Sequence, residues 1–134
     1  NIYDRWKTSN FNMQSIKWTN YYPGEFPKEV DEYYCETLSL NYLRSWISRI
    51  DPGFYAPWHW DVDDRLDDYL ALGTPIRYSI FVSPPSITSV FVVGDECYYN
   101  MPQGSIIEWK KYSEWHAGMN AGLEPKFMYH FLGY

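Results

Sequence analysis

Three histidines occur in this 134-residue chain, and two of them sit where they could hold a metal ion. His59 lies in Pro57-Trp58-His59-Trp60-Asp61. Residues two apart on a strand project to one side, so His59 and Asp61 offer an imidazole and a carboxylate to a common point while Trp58 and Trp60 turn away. Taken alone, the pair also reads as a surface histidine beside a helix-capping aspartate. His116 lies far downstream, in Glu114-Trp115-His116-Ala117-Gly118-Met119-Asn120, and returns beside His59 if the sheet curls into a jelly roll. Ten residues later, alternation puts Lys126, Met128 and His130 on one face of the last strand and Phe127, Tyr129 and Phe131 on the other. A lysine facing inward is costly unless an anion meets it. Lys126 is therefore an anion anchor, or this face is the exposed one and Lys126 is simply solvated. His130 reads as a core or supporting histidine rather than a ligand.

Holding such residues together requires a strand-rich frame, and the chain supplies one. Trp46 to Ile50 reads as a strand, Asp51-Pro52-Gly53 as a turn, and Phe54 to Trp60 as the second arm of a hairpin. Asp61 to Leu70 reads as a short helix with an acidic first turn, stopped by Gly73-Thr74-Pro75. Six more strands follow: Ile76 to Val82, Ser89 to Val93, Glu96 to Asn100, Ser105 to Trp109, Trp115 to Met119 and Lys126 to Leu132. Eight short strands at near-regular spacing predict a sandwich, barrel or jelly roll. Residues 1–43 read as an irregular approach segment with a short helix from Glu29 to Tyr34. The 14 Tyr, 7 Trp and 7 Phe favour strands over long helices. A chain of this length has room for one domain, 1–134, with its core in about 44–134.

A net charge of −6 argues against a nucleic-acid partner, whose affinity is mostly supplied by Lys and Arg on phosphates. No apolar run is long enough for a membrane span, and no secretory leader opens the chain. Cys35 and Cys97 stand far apart with no Cys-x-x-Cys partner, so they read as two reduced thiols in a cytoplasmic protein. Cys35 has no histidine nearby in sequence to make it a nucleophile. The acidic run from Asp61 fails as a calcium loop, because its sixth residue is Leu66 and its twelfth Leu72.

Two histidines and one carboxylate on one side of a metal, with the other positions open, is the arrangement of non-haem iron(II) oxygenases. The order Asp51-Pro52-Gly53, His59 with Asp61, His116 with Asn120 and Gly122, then Lys126, resembles the 2-oxoglutarate- and iron(II)-dependent oxygenases over roughly residues 44 to 134. Ile76-Arg77-Tyr78-Ser79-Ile80 and the His116 segment are similar to aspartyl/asparaginyl β-hydroxylase-like and prolyl hydroxylase-like members. The chain departs from the pattern in carrying Lys rather than the commoner Arg at 126. It also has Asp61 where the β-hydroxylases usually lack the carboxylate.

The resemblance implies an all-β double-stranded β-helix, a cupin-like jelly roll, with iron(II) on His59, Asp61 and His116. It implies 2-oxoglutarate as cosubstrate, its far carboxylate on Lys126, and oxygen as oxidant. Arg77, with Tyr78 on the same strand and Asn120 on the distal one, joins Lys126 among the expected cosubstrate contacts. Trp58, Trp60 and Tyr78 could border the substrate mouth. The implied activity is hydroxylation of a peptide side chain, a free amino acid or another small metabolite, releasing succinate and carbon dioxide. The alternatives are a cupin-type protein that binds a metal without oxidising anything, and an interaction module retaining only the barrel.

Overall fold

Asp51-Pro52-Gly53 reverses the chain as its composition predicts: the Phe54 N–H donates to the Asp51 carbonyl, and Gly53 takes φ +81° at no steric cost. The turn joins β2 (Tyr42–Ile50) to β3 (Tyr55–His59), but these strands do not pair as the expected hairpin. β2 finds a longer partner in the last strand, and β3 crosses to a second sheet. The computed structural model describes residues 1–134, apart from the side chain of Ile2.

The remaining strands are β1 (Thr19–Tyr21), β4 (Ile76–Phe81), β5 (Ser89–Val93), β6 (Glu96–Tyr99), β7 (Ile106–Glu108), β8 (His116–Asn120) and β9 (Lys126–Gly133). They form two antiparallel sheets, ordered β1-β2-β9-β4-β7 and β3-β8-β5-β6. The sheets face each other across a shared interior: Lys126 on β9 donates across it to the Val90 carbonyl on β5. All eight strands expected from the sequence are present, and β1 is added at one edge.

β9 is central and buried on both faces. Lys126, Met128 and His130 face the interior, lining the cavity between the sheets. Tyr129 and Phe131 point outward, where α2 (Glu29–Leu38) covers them. Val30, Tyr34 and Leu38 recur at helical spacing and form the covering stripe, with the Tyr34 ring stacked 4.9 Å from Tyr129. The Tyr129 hydroxyl donates to Asp31 at 2.6 Å, so even its polar tip is satisfied. Burying an Ile or Phe side chain of this kind stabilises by about 1.5–3 kcal/mol. Inside, Phe81, Phe91, Val93, Ile107, Trp109 and Met128 form a second cluster that shares Phe91 and Met128 with the cavity wall.

Two helical expectations are corrected. The helix expected from Asp61 begins later, as α3 (Leu66–Leu72): Asp61 is engaged by the distant Arg77, and the turn into the helix is held instead by Asp63, which accepts the Arg65 N–H on one carboxylate oxygen while the other pairs with Arg44. Residues 1–43 hold more order than expected. α1 (Ile2–Thr8) opens on a reciprocal cap between Asn1 and Asp4, a 3₁₀ turn follows at Met13–Ser15, and α2 runs four residues past Tyr34. Among the described residues no helix is long and apolar enough to cross a membrane. Cys35 lies half-buried on α2, and Cys97 is exposed on β6.

Candidate metal centre

His59 ends β3 and His116 begins β8, and the antiparallel register sets them directly opposite each other, with ring centroids 4.3 Å apart. Each ring is anchored by the carbonyl two residues earlier. His59 Nδ1 lies 2.6 Å from the Pro57 oxygen and His116 Nδ1 3.0 Å from that of Glu114. With Nδ1–H donating, both Nε2 atoms keep a free lone pair.

Both face Asp61, two residues beyond the end of β3. His59 Nε2 is 3.6 Å from Asp61 Oδ1, and His116 Nε2 is 3.7 Å from Oδ2. One ligand atom from each of the three residues falls within 4.8 Å of the others. The two histidine–carboxylate separations, 3.6 and 3.7 Å, are what donors about 2.1 Å from a shared ion subtend at roughly 120°. The donor set fits a divalent first-row metal. Burial, with the Arg77 charge adding to it, pushes the His116 imidazolium down to about 3, so the ring is in its ligating form. Burial would raise the Asp61 carboxyl, but its neighbours, the charged Arg77 among them, outweigh it and hold the group well below the usual carboxylate range.

Arg77 Nη1 donates to Asp61 Oδ2 at 2.8 Å, and its guanidinium lies 3.6 Å over Trp109 and 4.8 Å from the Trp46 centroid. Its charge is thus committed to the carboxylate ligand. Trp18 stacks on His59, and Trp6 from α1 meets the same ring edge-on while its indole N–H donates to the Trp58 carbonyl. The N-terminal segment therefore walls the site, a role its sequence did not suggest.

A cavity of about 60 Å³ lies between the sheets, bordered by all three candidate ligands. That is room for several waters. Lys126 faces it at 4% exposure. The ammonium donates to the Val90 carbonyl at 2.9 Å and sits 5.6 Å from the Phe91 ring, with no carboxylate in ion-pairing range among the described residues. Burial lowers it to about 8. Between Lys126 and the metal ligands, His130 is held by Ser79 at 2.8 Å and Ser48 at 3.0 Å and stacks on Trp46. Burial drives its imidazole well below the ordinary histidine range, so it sits neutral. Ser79 also accepts the Trp109 indole N–H at 2.9 Å, which leaves no loose polar end in this network. Gly118, between His116 and Asn120, keeps the floor low: a Cβ there would meet Ile50 Cδ1 at 3.1 Å.

Tyr78 and Asn120 stand apart from this centre. Tyr78 alternates to the α2 side of β4, where its hydroxyl donates to Glu108 at 3.0 Å. The Asn120 amide donates to the Ile50 and Glu124 carbonyls and accepts from the Gly122 N–H, which ties the β8–β9 turn to β2. Trp58 is exposed and stacks on Trp115, with Trp60 edge-on to the same ring.

No protein-family model and no curated protein matches the chain. Solved structures do match. A predicted oxalate decarboxylase from Thermotoga maritima superposes with TM-score 0.52 at 10% identity, over 87% of this chain and 79% of that one. A cupin domain of an XRE family transcriptional regulator from Enterobacter cloacae gives 0.52 at 14%, over 87% and 96%. The fold is a cupin double-stranded β-helix. The viral collagen prolyl hydroxylase of Paramecium bursaria Chlorella virus-1, solved with 2-oxoglutarate, gives 0.48 at 14%, over 98% and 86%. Identities this low speak to fold alone, and cupins of such different roles leave the function to the site.

Proposed function

We propose that the chain is a 2-oxoglutarate- and iron(II)-dependent dioxygenase that hydroxylates a peptide side chain or small metabolite. The observation that carries this reading is Lys126, a buried cation without a counter-charge in the same cavity as an open-sided His-Asp-His set. A cupin that only held a metal would gain nothing from such a group, which is destabilising until an anion arrives. A dicarboxylate resolves both needs, one end completing the metal's open positions and the other meeting the ammonium.

His59, Asp61 and His116 would hold the metal, which when bound supplies the activation of oxygen. Arg77 keeps Asp61 ionised and oriented, and the two backbone carbonyls fix the imidazole tautomers. Phe91 and Met128 line the cavity and keep it poor in water. The reaction balances as substrate C–H, 2-oxoglutarate and oxygen going to C–OH, succinate and carbon dioxide, one oxygen atom entering each organic product.

The test is oxygen-free addition of 2-oxoglutarate to the iron(II)-loaded protein. A weak visible charge-transfer band is expected, followed by succinate on admitting air with a suitable substrate. A non-oxidative metal-binding cupin would show no band, and that result would overturn the proposal.

A further inference from the structure

A second cavity, of about 140 Å³, adjoins the first and shares Asn20, Trp46, Asp61 and Arg77 with it. Its outer wall carries Arg44 and Asp63, joined by an Arg44 Nη1 to Asp63 Oδ2 bond of 2.9 Å. Asp63 is fixed: its side chain is only 9% exposed, and its other oxygen accepts the Arg65 backbone N–H. Arg44, at 32%, is freer, lying near the faces of Trp46 and Tyr22. At the junction of the two cavities the Asn20 Oδ1 is buried without a donor.

We propose that this second cavity is the substrate site and that it takes a free α-amino acid as its zwitterion. The α-carboxylate meets Arg44, the α-ammonium meets Asp63, and the side chain passes Trp46 and Asn20 toward the metal ligands. Charge balance singles out this class. The wall holds two cations, Arg44 and Arg77, and two anions, Asp61 and Asp63, already paired. A ligand of one sign that parts Arg44 from Asp63 leaves the other charge unmatched, whereas a zwitterion satisfies both. A residue within a peptide offers neither charge, because its amine and carboxyl are bonded. The Asn20 oxygen is free to accept from the ammonium or from a donor on the side chain. The inference rests on the oxygenase reading only for what becomes of the ligand.

The experiment is calorimetric titration of the zinc(II)-loaded full chain, which cannot turn over, with the proteinogenic L-amino acids in the presence of 2-oxoglutarate. Each binder is then compared with its N-acetyl and carboxamide derivatives. One-to-one binding of at least one amino acid is expected, weakened at least about tenfold by blocking either charge. Arg44→Met and Asp63→Asn should each lose a similar factor with zinc stoichiometry unchanged. Absence of binding across the panel, or derivatives that bind like the parent amino acid, would overturn the site. An amino acid that binds but yields no succinate with iron(II) and oxygen would sink the oxygenase reading and leave this site standing.

Discussion

Two cations face the same cavity and live under opposite regimes. Arg77 is paired with Asp61 and sandwiched by Trp109 and Trp46, so its charge is already used in holding a candidate ligand. Lys126, farther along the same sheet on the neighbouring strand β9, has one carbonyl and one aromatic neighbour. A paired buried charge marks a part of the site whose charge is already balanced, although Arg77 keeps one buried N–H, at Nε, without a partner. An unpaired one marks a place kept for something that arrives later.

The first way to break this comparison is to remove the finished half. Alanine at His59, Asp61 or His116 should abolish stoichiometric iron(II) binding, read by metal analysis of the anaerobically loaded protein. Parent-like iron content in all three variants would dissolve the triad.

The unfinished half has a stability signature. Lowering a lysine from its ordinary 10.5 to about 8 by burial amounts to about 3 kcal/mol of disfavoured charge. Because the folded value is the lower one, the unfolded chain binds more protons between those pH values, and stability rises with pH through that window. Lys126→Met should therefore stabilise the ligand-free protein by up to about 3 kcal/mol at pH 7, the gain fading as pH approaches 10.5. Urea denaturation at the two pH values measures it. A variant less stable than the parent at pH 7 would show that Lys126 is already matched.

A smaller effect should come from Arg77→Lys. Charge is kept, but the planar fork over two indoles is lost, so metal affinity should fall by about 10-fold while the fold persists. An unchanged affinity would remove Arg77 from the support of Asp61.

Much of this was legible in the sequence. Alternation alone put Lys126, Met128 and His130 on one face, leaving only whether that face was the inner one, and each of the eight strands read from β propensity and turn chemistry formed. The reason is that strand faces are set by a local period of two. What failed was set by distance. Asp61 looks like a helix-capping residue because its partner, Arg77, lies 16 positions away, and Asp63, which does hold the turn into α3, is also claimed by Arg44, 19 positions away. The supposed hairpin after Ile50 splits because β2 and β3 find better partners in β9 and β8. The α1 helix did leave a signal, the Asn1 and Asp4 spacing of a reciprocal cap, but nothing local shows that Trp6 and Trp18 would close on His59.

The most direct test is to titrate 2-oxoglutarate into iron(II)-loaded, oxygen-free parent, Lys126→Ala and Lys126→Arg proteins by calorimetry. Loss of one member of a desolvated charge pair should weaken binding at least roughly 25-fold in Lys126→Ala, less in Lys126→Arg, with iron content unchanged in both. Parent-like affinity in Lys126→Ala, retained when Arg77 is also replaced, would contradict the pairing of metal and dicarboxylate in this cavity.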